Sequence, residues 1–275
     1  MTRPDLTAPS DPALAPGEAR CPGLSMQDIL DADGDNAPAA MREEAYTFLG
    51  DKDVPFARYT DPAFHDLEMA RLWPNVWQWA CREEHIPGVG DRYVYDVGHH
   101  SVLVVRGADM AIRAFVNSCP HRGMKFAAEG SRGVRRANIR CPFHGMSWNL
   151  DGTLREIPCR WDFPHVSDDT FGLDEYACDT WGGFVFIHMG DNPPPLAEQL
   201  EVMPEHFKLW PMDDRYVALH TEKVLPANWK MAMEAFLEAF HVLETHAQAV
   251  YTAADANAQY DIFGKHVSRF IHAVG

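Results

Sequence analysis

The sequence lacks the features that mark membrane, nucleic-acid-binding and secreted proteins. No run approaches the roughly 18 consecutive apolar residues that a transmembrane helix needs, and the opening MTRPDLTAPSDPALAPGEAR has no apolar stretch typical of a signal peptide. Positive charge is also scarce, since 24 Lys and Arg against 40 Asp and Glu give a formal net charge of -16. Such a chain has no broad positive surface that could neutralise a phosphate backbone. We therefore expect no membrane span and no nucleic-acid partner, and we expect a cytoplasmic protein.

Cysteine is sparse as well. Six cysteines in 275 residues could in number form three disulfides, but 46% hydrophobic residues give the chain enough core to fold without cross-links. Cys21, Cys81, Cys159 and Cys178 have no metal-ligand spacing among themselves. We expect these four to be reduced, either as small buried side chains or as idle thiols.

The pattern along the first 190 residues predicts three regions. Residues 1–45 are rich in Ala, Pro and Asp without a helical or strand period, which predicts a disordered or extended arm. Residues 46–76 hold a helix that begins at Asp61-Pro62 and stops at Pro74, and we expect this region to pack with the C-terminal domain. Residues 77–190 contain short Val-, Ile-, Phe- and Tyr-rich runs separated by turns, which predicts an antiparallel β domain.

Two local patterns refine this division. WNLDGTL predicts a hairpin, because Asp151-Gly152 can adopt the positive φ angles of a tight turn. Residues 191–275 begin with the linker DNPPPL, continue with a long helix that starts at the capping residue Asn228, and end in alternating strand-like residues. The predicted fold class is therefore α+β, with an incomplete second domain over 191–275.

One short phrase occurs twice, as CPHRGM at 119–124 and CPFHGM at 141–146. Cys119 and His121 form one pair, Cys141 and His144 form another, and nineteen residues separate the pairs. Four ligands in two pairs can bind zinc or an iron–sulfur cluster. The Pro- and Gly-rich frames on loops of a β domain differ from the strand and helix of a zinc finger, but zinc stays open at this point.

A second candidate site lies in NWKMAMEAFLEAFHVLETH. His241 and His246 are five residues apart, so on an ideal helix they point about 140° away from each other. Either both are ordinary surface histidines, or the helix bulges or ends between them and they share a metal. Glu238 and His241 are three apart and share a helix face.

The two cysteine–histidine loops resemble the Rieske motif of aromatic-ring-hydroxylating oxygenase α subunits. This resemblance implies a 2Fe-2S cluster in which Cys119 and Cys141 bind one iron and His121 and His144 bind the other. Respiratory Rieske proteins have an extra cysteine in each loop, whereas Met124 and Phe143 occupy those neighbourhoods here. The chain therefore resembles the lower-potential oxygenase type.

The helical segment resembles the mononuclear iron motif of the same family, an N-W-K followed by an acid and H-x4-H. The resemblance implies that His241 and His246 bind Fe(II), and that Glu238 links this iron to the cluster of a neighbouring subunit. The family's third ligand is a carboxylate more than a hundred residues later, so the sequence looks like a C-terminally truncated subunit. Asp255 and Asp261 are acids downstream, and we expect both to be solvated loop residues.

The resemblance also implies a function and its partners. We expect a Rieske domain placed before part of a helix-grip-like catalytic domain, in a dioxygenase component that hydroxylates an apolar, aromatic substrate with O2. Electrons would come from NAD(P)H through a reductase and in some systems a ferredoxin, and the full-length subunit would form a homotrimer or associate with a β subunit. A non-catalytic electron carrier and a zinc-stabilised binding module are the alternatives.

Two further groups of side chains have two interpretations each. Arginines between the loops form either a solvated hairpin or a docking patch for an acidic ferredoxin; they are Arg132, Arg135, Arg136 and Arg140. Large apolar residues near the histidines favour helix core packing over a substrate pocket; they are Met231, Met233, Phe236 and Phe240.

Overall fold

The computed structural model describes residues 24–50, 52–128, 130–131, 135–238, 241–246 and 258–272. The chain divides into two compact units. The first, called the β unit, comprises residues 62–199 and 210–221. The second, called the helix–hairpin unit, comprises the described parts of residues 1–61, 200–209 and 222–275.

The β unit is built from nine strands within the described residues. They are β1 Gln78–Arg82, β2 Arg92–Val97, β3 His100–Arg106, β4 Ile112–Val116, β5 Ile139–Arg140, β6 Ser147–Trp148, β7 Leu154–Glu156, β8 Glu175–Trp181 and β9 Phe184–His188. Six of them form a sheet in the order β1-β9-β8-β4-β3-β2, and β5-β6-β7 form a smaller sheet. All pairings are antiparallel, which confirms the predicted β domain.

Strand β3 separates two hydrophobic clusters. Leu103 and Val105 belong to one cluster, whereas Val102 and Val104 belong to the other, and all four are fully buried. A strand buried on both faces is continuously apolar rather than alternating, which explains the run VLVV. The cluster on the Leu103 side also contains Cys119 and Cys141, so the two loops rest on this core.

The hairpin between β6 and β7 is confirmed, with one correction to its turn. Gly152 has a φ of +85°, but Asp151 is not among the residues with positive φ. Its carboxylate instead accepts hydrogen bonds from the Thr153 backbone N–H at 3.0 Å and the Thr153 hydroxyl at 2.6 Å. These local bonds close the turn while Asp151 keeps an ordinary backbone conformation.

Helices are short throughout the described residues. The α-helices are α1 Met26–Ala32, α2 Ala57–Thr60, α3 Pro62–Arg71, α4 Leu196–Leu200, α5 Met203–His206, α6 Trp229–Glu234 and α7 Val242–Thr245. The 3-10 turns are Gly34–Asn36, Ala39–Arg42, Trp73–Asn75, Glu83–His85, Arg160–Asp162 and Met212–Asp214. Within the described ranges, no helix has both the length and the apolarity to cross a membrane.

The region 46–76 contains the predicted helix. The expected packing with the C-terminal domain is wrong for this helix, which lies in the other unit. Helix α3 starts at Pro62 and ends before Pro74, as expected. It belongs to the β unit, where Met69 is buried and its carbonyl lies 3.4 Å from His100 Nε2 at the β2–β3 turn. Tyr59 of α2 belongs to the helix–hairpin unit, where its hydroxyl donates to the Glu234 carboxylate at 2.8 Å. The boundary between the two units therefore falls within residues 46–76, after Asp61.

The predicted disordered or extended arm over 1–45 is wrong for residues 26–42, which form a helix and two 3-10 turns, whereas residues 1–23 lie outside the described part. Helix α1 begins with a capping box: Ser25 Oγ accepts from the Asp28 N–H at 3.1 Å, and the Ser25 N–H donates to Asp28 Oδ2 at 2.9 Å. Met26 and Leu30 of this helix are buried. The S-x-x-D signal at its start was present in the sequence and was missed.

The strand-like C-terminal residues form the hairpin β10 Ala258–Phe263 and β11 Val267–His272. Asp261 of β10 is fully buried, where it accepts from the Ala45 N–H at 2.8 Å and from Arg269 Nη2 at 2.8 Å. The expectation of a solvated loop is wrong for Asp261, because Arg269 on the paired strand neutralises it. Asp255 lies outside the described residues.

Candidate metal centres

The doubled phrase gives two loops with the same backbone hydrogen bonds. The N–H of each cysteine donates to the carbonyl five residues later, and the N–H of the glycine four residues later donates back to the cysteine carbonyl. These distances are 2.9 and 2.8 Å in the Cys119 loop and 2.8 and 3.1 Å in the Cys141 loop. Gly123 and Gly145 have φ angles of +75° and +78°, a region that costs other residues about 1 kcal/mol or more. The repeated glycine is therefore a requirement of the loop geometry.

The four candidate ligands face each other as two pairs. Cys119 and Cys141 are 3% and 2% exposed, and the Cys141 thiol lies close enough to raise the pKa of the Cys119 thiol. The rings of His121 and His144 lie nearer the surface, with centroids 4.9 Å apart. In the described part of the chain, no three His, Cys, Asp or Glu side chains form one metal-binding group. Two pairs fit a two-iron cluster, because bridging sulfides complete the coordination of each iron.

The cysteine side of this arrangement is buried. Burial raises the pKa of the Cys119 thiol, backbone N–H groups of His121 and Arg122 lower it, and the adjacent Cys141 thiol raises it. Metal ions displace thiol protons, so Cys119 and Cys141 would bind iron as thiolates. The residues therefore fit a 2Fe-2S cluster.

Asn117 braces the first loop, and the sequence reasoning missed it. Its side chain is buried, and Nδ2 donates to Ser101 Oγ at 3.0 Å and to the Ala127 carbonyl at 2.9 Å. Its Oδ1 accepts from the Phe126 N–H at 3.0 Å and the Ala127 N–H at 3.2 Å. The amide thus ties both sides of the loop to β3 and uses its full bonding capacity. A polar residue two places before a loop cysteine was the available signal.

Aromatic side chains anchor the second loop to the core and connect the tips of the two loops. Trp148 follows the second loop, is fully buried, and donates from Nε1 to the Phe171 carbonyl at 2.8 Å. The Arg122 guanidinium of the first loop lies 5.7 Å from the ring centre of Phe143 in the second. Met124 and Phe143 are exposed. The core thus fixes the loop bases while the tips face solvent.

The second candidate site departs from the predicted long helix. Asn228 caps α6 as expected, since its side chain accepts from the Lys230 N–H at 3.0 Å. Helix α6 ends at Glu234, and α7 spans Val242–Thr245, so His241 precedes the short helix and His246 follows it. Their ring centroids lie 5.3 Å apart. Because α7 ends at Thr245 and His246 has a non-helical backbone, the two rings come together despite their spacing of five.

Glu238 holds His241 in place. Its Oε1 contacts His241 Nδ1, and its Oε2 accepts from the His241 backbone N–H at 3.1 Å. A carboxylate on Nδ1 fixes the imidazole orientation and leaves Nε2 available as a metal ligand. Glu238 and His241 were predicted to share a helix face; their side chains do contact each other, but Glu238 lies outside both short helices. Two imidazoles fit two positions of an iron site, and no third ligand joins them among the described residues.

The apolar residues near these histidines are exposed, so the predicted core packing is wrong for those described. Phe236 is 77% exposed, and Met231 and Met233 are about half exposed. They project from the short helix α6 and the turn after it, so no long helix face forms to bury them. Phe240 lies outside the described residues.

Comparisons with known proteins match both parts of the chain. Residues 76–167 match the protein-family model described as Rieske [2Fe-2S] domain, and residues 205–274 match that described as Ring hydroxylating alpha subunit (catalytic domain). The glycine betaine monooxygenase oxygenase subunit of Chromohalobacter salexigens is 30% identical, covering 78% of this chain and 48% of that protein. The terephthalate 1,2-dioxygenase terminal oxygenase component subunit alpha 2 of Comamonas sp is 30% identical, covering 70% and 48%.

Solved structures give the same result. Naphthalene 1,2-dioxygenase from Rhodococcus sp. bound to indole is 26% identical with a TM-score of 0.64, covering 72% of this chain and 46% of that one. A quaternary ammonium Rieske monooxygenase has a TM-score of 0.68 over 78% of this chain and 63% of that one, and its 22% identity supports the fold alone. The chain spans about half the length of the curated relatives it matches. With a Rieske domain followed by a ring-hydroxylating catalytic domain, the chain belongs to the family of Rieske oxygenase alpha subunits.

Proposed function

We propose that this chain is the oxygenase component of a Rieske non-heme iron oxygenase, which oxidises a small organic substrate with O2. The observation that carries the proposal is the presence, in one chain, of the paired Cys/His loops and of a second histidine pair fixed by Glu238. An electron carrier needs only the first of these. The second pair has no role in a carrier, because its rings belong to the other unit of the chain.

In this proposal, Cys119 and Cys141 bind one iron of the cluster while His121 and His144 bind the other. Two neutral imidazoles in place of two thiolates raise the reduction potential of such a cluster, which supplies one-electron transfer. The burial of the cysteines excludes water from one side. The more exposed histidines leave the other side open to an electron donor.

His241 and His246 hold the mononuclear iron, which supplies the activation of O2. Glu238 fixes the His241 ring through Nδ1, and it stands where the family motif has the acid that hydrogen-bonds histidines on both sides. Glu238 is therefore suited to link His241 to a cluster histidine of a neighbouring subunit. The third, carboxylate ligand would come from residues other than those described.

Two substrate classes follow from the names of relatives. Oxygenase subunits for glycine betaine and for carnitine favour a quaternary ammonium substrate and the addition of one oxygen atom. Terephthalate 1,2-dioxygenase and biphenyl 2,3-dioxygenase, at 30% and 31% identity, favour the aromatic substrate and dioxygenation that the sequence motifs suggested. We propose the quaternary ammonium class first. An NAD(P)H-dependent reductase would be the electron source, with assembly as a homotrimer or with a β subunit.

A single-turnover experiment tests the function without a known reductase. The chain, purified anaerobically with its iron and sulfide counted, is reduced with dithionite and mixed with 18O2 and glycine betaine, carnitine or terephthalate. A product with one heavy oxygen from an ammonium compound supports the proposal, and two heavy oxygens in terephthalate assign the aromatic class. His241→Ala should keep the cluster spectrum and form no product. A full cluster with no product from any compound favours the electron carrier.

A further inference from the structure

A cavity of about 580 Å³ opens beside the second cluster loop. Three arginines line it, Arg92, Arg136 and Arg140, together with the loop from Cys141 to Gly145. The other lining residues are Phe126 and Asn138, so no Asp or Glu of the described ranges lines it. The wall of the cavity is therefore strongly positive on a chain whose net charge is -16.

These arginines differ from their neighbours in having no carboxylate partner within the described part of the chain. Arg135, next to Arg136, pairs with Asp91 at 2.9 Å, and Arg106 pairs with Glu83 at 3.2 Å. Like charges on one wall repel each other, and nothing described compensates them. Such an arrangement is costly unless a negative group completes it.

Arg92 shows the cost of an uncompensated positive charge most clearly. It is 4% exposed, and one guanidinium nitrogen, Nη2, donates to the Asn138 carbonyl at 3.0 Å. Its Nε is fully buried, and in the described structure it has no hydrogen-bond partner. Burial lowers the pKa of Arg92, and the charge of Arg136 lowers it further. An unsatisfied buried donor is destabilising, and more so on a charged group.

We propose that this cavity is an anion site that takes a carboxylate or a small oxyanion. The guanidinium groups of Arg136 and Arg140 bind its oxygens, since charged N–H donors favour such partners, and the buried charge of Arg92 adds to the attraction. Either a free anion or an acidic side chain on a protein surface has this chemistry. The site is independent of whether the chain oxidises a substrate.

Isothermal titration calorimetry on the cluster-containing protein tests the proposal at low, constant chloride. The probes are sodium sulfate and sodium acetate for a free anion, and a hexaglutamate peptide for acidic side chains. Arg136→Gln and Arg140→Gln remove cavity charges from exposed positions, whereas Arg155→Gln removes an exposed charge elsewhere on the same small sheet. Arg92 is left unchanged because it is buried.

We expect saturable binding of at least one probe, weakened about tenfold or more in Arg136→Gln and Arg140→Gln and less than twofold in Arg155→Gln. A peptide that binds tighter than acetate assigns the source to a protein surface, and tighter sulfate assigns a free oxyanion. No saturable binding of any probe would overturn the proposal. So would equal weakening in all three variants, because binding would then follow net charge. The readout does not depend on oxygenase activity, so the two proposals fail separately.

Discussion

Replacing Asn117 with alanine removes four hydrogen bonds from the base of the first cluster loop. Two are donated by Nδ2 to Ser101 and Ala127, and two are accepted by Oδ1 from backbone N–H groups of Phe126 and Ala127. Each such bond contributes roughly 0.5–1.5 kcal/mol net, and the Phe126 N–H would stay buried without a partner. The expected loss is about 3 kcal/mol, a large share of the 5–15 kcal/mol typical of a domain.

Thermal loss of the visible cluster absorbance measures this effect. A loss of about 3 kcal/mol lowers the melting midpoint by roughly 6–12 °C for a domain of this size class. Asn149→Ala is the matched control, because it removes one exposed bond from Nδ2 to Thr153 Oγ1 at 2.9 Å. The control should shift the midpoint by less than about 4 °C. An Asn117→Ala midpoint within about 2 °C of the native protein would refute the bracing role.

Three further predictions concern single side chains. Glu238→Gln should weaken iron binding at the second site by roughly 10–100-fold while cluster iron and sulfide stay unchanged, as counted by metal analysis; equal loss at both sites would contradict its specific role. Asp261→Asn should destabilise the chain by about 3 kcal/mol in urea unfolding, because it leaves the half-buried Arg269 without its carboxylate; a loss under about 1 kcal/mol would contradict the ion pair. Gly123→Ala and Gly145→Ala should each lower the cluster's thermal midpoint, since both positions have a positive φ that disfavours a Cβ, whereas the flexible Arg140 guanidinium 2.7 Å from the new methyl at 145 can move aside; an unchanged midpoint in either variant would contradict this.

The β domain and its doubled loop could be predicted because their signals are local. The strand runs, the turn at Gly152 and the CPxxGM frames each specify their own structure within about ten residues. The glycine four residues after each cysteine is readable for the same reason, since its backbone conformation excludes most other residues. Local specification therefore accounts for what the sequence predicted correctly.

The errors arose where distant contacts decide the outcome. The segment after Asn228 contains good helix formers without Gly or Pro, yet α6 stops at Glu234, whose carboxylate accepts a hydrogen bond from the distant Tyr59 hydroxyl. Tertiary contacts routinely override helix propensity in this way. Asp261 was expected in solvent because its partner Arg269 is visible only once β10 and β11 pair.

The arginine cavity shows the same limit in the functional region. The sequence indicated a basic patch, but not that Arg135 is neutralised by Asp91 while Arg136 and Arg140 are left unpaired in the described structure. Arg92 was not considered, because nothing in RYVYDV shows that its guanidinium reaches the second loop. Which charges are compensated is a property of the fold rather than of the sequence pattern.

The most direct measurement is iron and acid-labile sulfide per chain on anaerobically purified protein, combined with low-temperature EPR of the dithionite-reduced form. We expect two sulfides, a Rieske spectrum and three irons per chain. One iron should be lost in His241→Ala while the spectrum is retained. Two irons that never become three would contradict the second site. Zinc without sulfide would contradict the cluster and with it the assignment of the ligands.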